Sequence, residues 1–355
     1  MAIHRSLLGG CGLVVLVSCV DALQAGTTWD GGGTTANWSD PGNWDPDGPP
    51  PPGASLTFGG TQHATSNQDL GNPFNVAQLR FDASATSGHR ISGNPLRLGL
   101  FGQIVVENQP PPALRNAIFS PVEFSLGGFI TTPVPTFGTA LVIEDLRGSG
   151  VLSVDGAVSI HSANYAGPIS ATGRIEYGLG SSTFTGSQQI AGELYGITSL
   201  NFAPGSSLVV NGTLSPGGAP TQDPAANVPG PMTVNGNVVL RGELEWDRSA
   251  LTQDTLDVNG TLDMDGLLQV NLLASTPPGQ YLVASYDNRI GALDAPPGAN
   301  YSVLYTSGEN AGPGDILVAI VPEPALGFLT LVTLVVPAGL ARRPRRGAGT
   351  RRHEL

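Results

Sequence analysis

The 355-residue chain has no lysine, so all 16 of its basic side chains are arginine. Cys11 and Cys19 are its only cysteines. Everything after them is therefore closed to thiol catalysis, iron–sulfur clusters, cysteine-ligated zinc and disulfides. Between residues 26 and 320, 9 arginines stand against 25 aspartates and glutamates, a net charge of −16. A body this acidic repels nucleic acid and anionic lipid. Catalytic signatures are missing too: there is no Gly-x-Ser-x-Gly elbow, no His-Glu-x-x-His and no phosphate loop. Gly31-Gly32-Gly33-Thr34-Thr35-Ala36 has the glycine content of a dinucleotide loop, but no strand is expected before it. His63, His89 and His161 are too widely spaced to form a metal site and are expected on the surface or in loops. No cofactor is expected, and no catalytic or metal-binding residue is assigned.

What the chain has instead is 49 glycines and 30 prolines against 12% charged residues. Gly, Asn, Asp and Pro punctuate short runs of Val, Leu, Ile, Thr and Phe, the pattern of many short strands. The segments around Pro46 and Pro52, Pro110 and Pro112, and Pro216 and Pro231 are expected to stand off those strands as loops, because proline cannot donate to a ladder. Val210-Asn211-Gly212, Val234-Asn235-Gly236 and Val258-Asn259-Gly260 recur every 24 residues. Aligning them stacks Leu208 with Met232 and Leu256, then the three valines, then Leu214 with Val238 and Leu262. The residues between are mostly polar, so each strand alternates with period two. Asn-Gly between strands also fits three separate hairpins. A constant period with matched apolar columns favours stacked coils, in which each coil sets the same residue type above its neighbour. The expected fold is all-β, a right-handed parallel β-helix of at most about 12 coils, followed by one C-terminal transmembrane helix.

The two ends of the chain carry targeting features. Residues 1–5 bear a positive charge and residues 6–20 are apolar and small, as in a secretory signal peptide with cleavage after Ala25. Leu16-Val17-Ser18-Cys19 offers a competing lipobox, in which Cys19 would be acylated. At the other end come Val321-Pro322-Glu323-Pro324, an apolar run at 325–341, and Arg342, Arg343, Arg345 and Arg346. The run covers roughly 25 Å as a helix, enough to cross a bilayer core. The arginines keep its end in the cytoplasm and place the body outside. This order of Pro-Glu-Pro, span and arginines resembles the PEP-CTERM sorting signal of bacterial exported proteins. The resemblance implies an exosortase-type membrane peptidase as partner, with Val321, Pro322, Glu323 and Pro324 as the motif it reads. A plain membrane anchor is the simpler alternative.

In the body, Gly148-Ser149-Gly150-Val151-Leu152-Ser153-Val154-Asp155-Gly156 and then Asn164-Tyr165-Ala166-Gly167 resemble the autotransporter-associated β-strand repeat. Trp29-Asp30, Asn37-Trp38-Ser39, Asn43-Trp44-Asp45 and Leu56-Thr57-Phe58-Gly59 are also usual in that family. The chain departs from a true autotransporter in having no membrane β-barrel sequence after residue 320. The expected organisation is a signal peptide at 1–25, a cap and first strands at 26–145, β-helix repeats at 146–275, closing strands at 276–320, and the sorting tail at 321–355. Trp29, Trp38 and Trp44 are expected to cover the open end of the apolar stack, with sugar-binding platforms as the sharper alternative. Strands at 281–286, 301–306 and 315–321 are expected to close the other end as a meander.

Two acidic groups stand out: Glu243, Glu245 and Asp247, and Asp254, Asp257, Asp263 and Asp265. Thr261-x-Asp263-x-Asp265-Gly266 half-matches a calcium loop but lacks its first acid and its bidentate Glu. Turn-forming aspartate is the plain reading. A glycosidase pair would need two carboxylates about 5 to 9.5 Å apart, which sequence spacing cannot supply. The leading expectation is a non-enzymatic surface protein of structural or adhesive type, exported and held at the membrane, with extracellular polysaccharide as a further partner. An enzyme acting on envelope or external polysaccharide and a carbohydrate-binding module are the rivals.

Overall fold

The computed structural model describes residues 26–320 apart from 61–63, 86–87, 108–114, 136–138, 219–228, 250 and 273–275. Cys19, Ala25, His63, Pro110, Pro112 and the tail, with its Pro-Glu-Pro motif, apolar run and arginines, lie outside the described residues. The described chain is all-β: 26 strands hydrogen-bonded into one connected, mostly parallel sheet, with a single three-residue 3-10 turn at Pro41–Asn43. Among the described residues no helix is long and apolar enough to cross a membrane.

Strand follows strand in register, and the inward residues form unbroken columns. In one column Leu56 pairs with Leu79, then Ile104, Ile130, Val154, Ala171, Ile190, Val210, Leu240 and Met264. Every member is essentially sealed from solvent. A second column runs Leu141, Val158, Ile175, Leu194, Leu214, Leu244, Leu268, and a third runs Leu200, Val234, Val258, Tyr286. These side chains alternate with outward polar ones because successive Cβ atoms in a strand point to opposite faces. Burying such a residue is worth about 1.5–3 kcal/mol, so the columns hold the strands in register.

The register corrects half of the expected stacking. Met232 pairs with Leu256, Val234 with Val258 and Val238 with Leu262, as the 24-residue repeat predicts. The first repeat does not join them: Leu208 pairs with Val238 and Val210 with Leu240, 30 residues on, while Val234 pairs back to Leu200. Leu214 lies against Leu244, not Val238. The physical reason is the insertion after Pro216, which lengthens that one interval and leaves Val210-Asn211-Gly212 on a different strand of its turn.

Corners are held by a glycine column. A Cβ on Gly173 would overlap the carbonyl oxygen of Gly156, one on Gly192 that of Gly173, one on Gly212 that of Gly192, one on Gly242 that of Gly212, and one on Gly266 that of Gly242. Only glycine lets backbone approach backbone this closely. Tyr165, from the Asn-Tyr-x-Gly segment, is buried and donates its hydroxyl to the Gly150 carbonyl at 2.8 Å.

At the N-terminal end Thr27–Trp29 pairs parallel to Ala54–Phe58 and antiparallel to Trp44–Asp45. Trp29, Trp38 and Trp44 are fully buried. Trp44 meets Trp29 edge-on at 5.1 Å and Trp38 edge-on at 5.6 Å, and all three rings pack on Phe58. Both indole N–H groups with printed partners stay inside: Trp38 donates to Ser66 Oγ and Trp44 to the Trp38 carbonyl. At the far end Gly279–Asp294, Tyr301–Tyr305 and Gly314–Ile320 form the antiparallel closure, but not as a simple meander. The last strand lies between the other two. The proline segments also depart from expectation. Pro50 is buried, and Pro216 and Pro231 sit within strands Thr213–Pro216 and Pro231–Asn235, because a proline at a strand end needs no ladder donor.

Candidate functional site

The acidic residues singled out by sequence separate into three settings. Asp254 is buried. It accepts from the backbone N–H of Gly230 and of Asp247, each at 2.9 Å, while its own carbonyl accepts from Trp246 Nε1 at 2.8 Å. It thereby ties the loop after Trp246 to the start of strand Pro231–Asn235. Burial pushes its pKa up to about 8, against the two N–H bonds, and the nearby Asp247 and Glu245 push the same way. Glu245 is likewise raised, first by burial and then by Asp247, although Asn271 Nδ2 donates to it at 2.6 Å. These are turn-holding carboxylates.

Asp263 has a different role. Arg241 grips it through two nitrogens at 2.9 and 2.8 Å, and that hydrogen bonding holds its pKa low. Asp263 and Asp265 both lie within the extended strand Thr255–Leu272. The half-matched calcium loop is therefore not a loop, and its residues cannot wrap one cation. Among the described residues no group of three or more His, Cys, Asp or Glu is placed to hold a metal ion.

Asp257 belongs to the third setting. Its Oδ1 accepts from Ser285 Oγ at 2.7 Å. With Asn259, Ser285, Asp287, Thr306 and Asp315 it lines an open cleft of about 410 Å³ at the C-terminal closure. Sequence reasoning grouped Asp257 with Asp254 and missed Asp287, Thr306 and Asp315. What joins these residues is strand pairing, Asp257 to Ser285 and Ser285 to Asp315, and no sequence spacing announces it. The cleft presents carboxylates and hydroxyls and no arginine, a lining suited to hydroxyl-rich or cationic groups.

No family model, no curated protein and no solved structure matches the chain. The site must therefore be read from its own residues. The three N-terminal tryptophans present no ring face to solvent, so they are not platforms for a sugar. The Gly-Gly-Gly-Thr-Thr loop does follow a strand, Thr27–Trp29, contrary to expectation. Its donors are already taken: the backbone N–H and hydroxyl groups of Thr34 and Thr35 all donate to Asp40 Oδ2. Those bonds, led by Thr35, hold the Asp40 pKa down. The protein's own carboxylate occupies the place a phosphate would take. His89, expected at the surface, is fully buried against Phe58 at 5.6 Å, and burial lowers its pKa. His161 is half-exposed on strand Ala157–Tyr165, with Nδ1 2.7 Å from Glu144 Oε2. Neither histidine is near the cleft residues in any pairing.

Proposed function

We propose that the chain is an exported cell-surface protein whose body is a right-handed parallel β-solenoid and whose tail is a PEP-CTERM sorting signal. The ten-residue inward column from Leu56 to Met264 supports the solenoid. A chain that returns to the same inward position turn after turn, always parallel, is winding, and the crossover rule makes the winding right-handed. The sorting assignment rests on one observation of sequence, the order Val321-Pro322-Glu323-Pro324, apolar 325–341, Arg342, Arg343, Arg345, Arg346. In this reading a signal peptide cleaved after Ala25 exports the body, the apolar run anchors it in the membrane, and an exosortase-type peptidase reads the stiff Pro-Glu-Pro strip. The mature protein then serves a structural or adhesive role in the envelope or the extracellular polysaccharide.

The test uses the two prolines. Pro322→Ala with Pro324→Ala leaves hydrophobic length and positive charge unchanged, so export and insertion survive. It frees φ and restores two N–H donors, so the strip can join the helix below it. In a host with an exosortase the full-length form should accumulate in the inner membrane while the shorter surface form disappears. Identical immunoblots of membrane and surface fractions for wild type and variant would reduce the tail to a plain anchor.

A second reading, an enzyme acting on polysaccharide, draws on the open cleft with Asp257, Asp287 and Asp315. Release of reducing sugar from a polysaccharide panel, abolished by Asp257→Asn, is the result it requires.

A further inference from the structure

The Asn-Gly pairs are alike in sequence and unlike in setting. Asn211 and Asn259 even share the pentapeptide Val-Asn-Gly-Thr-Leu. Asn235 and Asn259 belong to an amide ladder: Asn235 Nδ2 donates to Asn201 Oδ1 at 2.6 Å, and Asn259 Nδ2 donates to Asn235 Oδ1 at 2.7 Å. Asn201 anchors the ladder on Ser181 Oγ at 2.7 Å. The nitrogen after Asn235 is engaged as well, since Gly236 N–H donates to the Asn259 carbonyl at 3.1 Å. Asn211 stands outside this ladder because the 30-residue interval puts its strand elsewhere on the turn. It is exposed at a bend between strands Ser207–Val210 and Thr213–Pro216. Among the described residues its side chain makes no hydrogen bond, and neither does the Gly212 N–H.

We infer that Asn211 is a site of spontaneous deamidation and that the ladder protects Asn235 and Asn259 from the same reaction. Glycine has no side chain to block its nitrogen. The Gly212 nitrogen gives its proton to solvent base and attacks Asn211 Cγ. The bond from Cγ to the side-chain nitrogen breaks, and ammonia leaves with a proton taken from water. Water then opens the five-membered imide at either carbonyl, giving aspartate or isoaspartate. In Asn235 and Asn259 the amide must first leave its ladder partner before Cγ can turn toward the following nitrogen. The isoaspartate product adds a methylene to the main chain immediately before Gly212, whose Cα packs on the Gly192 carbonyl. The modification therefore falls on the glycine column.

The experiment incubates full-length protein in detergent at mildly alkaline pH and follows all three sites by peptide mass spectrometry. In the folded chain Asn211 should convert at least about tenfold faster than Asn235 or Asn259, the ratio expected when one or two hydrogen bonds must break first. In denaturant Asn211 and Asn259 should convert at one rate, because their local sequences are identical. Asn235→Ala, which removes the acceptor for Asn259, should raise the folded-state rate at Asn259 toward that of Asn211. Equal rates in the folded chain, faster conversion at either ladder residue, or a ranking that persists in denaturant would each overturn the inference.

Discussion

Two stretches of the body solve one packing problem with different chain lengths. From Leu141 through Val158, Ile175 and Leu194 to Leu214, inward partners lie 17 to 20 residues apart. From Met232 to Leu256 and from Val238 to Leu262 they lie 24 apart. The columns are equally well buried in both. Corner geometry is shared as well, since the glycine column passes from Gly156 to Gly266 through both stretches. What varies is the length of chain between strands. The core thus specifies the position of the inward side chain and the approach at the corner, and it tolerates loops of different length between them. Loop closure costs little per added residue, so interval length is free to drift while the columns are not.

The largest expected effect breaks a column. Val234→Asp puts an unpaired charge between Leu200 and Val258 and should cost several kcal/mol. Thr233→Asp points outward, as Asp257 already does one partner on, and should be nearly neutral. Equal melting temperatures for the two would refute the inward and outward assignment.

Next in size is the corner. Gly192→Ala drives a methyl into the Gly173 carbonyl, which cannot move aside without breaking its ladder. A loss of about 2–4 kcal/mol is expected by analogy with other overpacking and strain. Gly99→Ala, with open space around it, should change stability by less than about 0.5 kcal/mol. Denaturant midpoints of the pair compare corner with strand, and a mild Gly192→Ala would mean the glycines are a compositional accident.

A smaller effect appears only in the pH profile. The folded pKa of Asp254 stands above its unfolded value, so the native state holds a proton that the unfolded chain has released. Its contribution to stability is full below about pH 4 and declines as pH rises toward 8. Glu245, raised for the same reason, adds to the same slope. Asp254→Asn should flatten the fall in stability between pH 4 and 8 by a few kcal/mol at most. An unchanged slope would mean that the two backbone N–H bonds outweigh burial and keep Asp254 ionised.

Strand content, period-two alternation, the tryptophan cap and the 24-residue interval were all legible in the sequence, because each depends on local pattern. The pairing of Val210 with Leu240 was not, because nothing local distinguishes Val210-Asn211-Gly212 from its two counterparts. Only the insertion after Pro216, read together with the columns, tells them apart. Asp254 and Asp257 looked like neighbours in a cluster. In the fold one is buried under Trp246 and the other faces an open cleft with Asp287 and Asp315, a grouping created by strands far apart in the chain. His89 showed no sign of burial, since its surroundings, Phe58 and Asn116, come from other turns.

The register itself is the central claim, and the absence of cysteine from the body makes it directly measurable. Residues paired across neighbouring parallel strands lie about 4.8 Å apart, within reach of a disulfide. Val209 pairs with Val239, whereas the unbroken 24-residue repeat would pair it with Thr233. Val209→Cys with Val239→Cys should cross-link under mild oxidation, and Val209→Cys with Thr233→Cys should not. A cross-link in the second variant and none in the first would contradict the column on which this account of the fold stands.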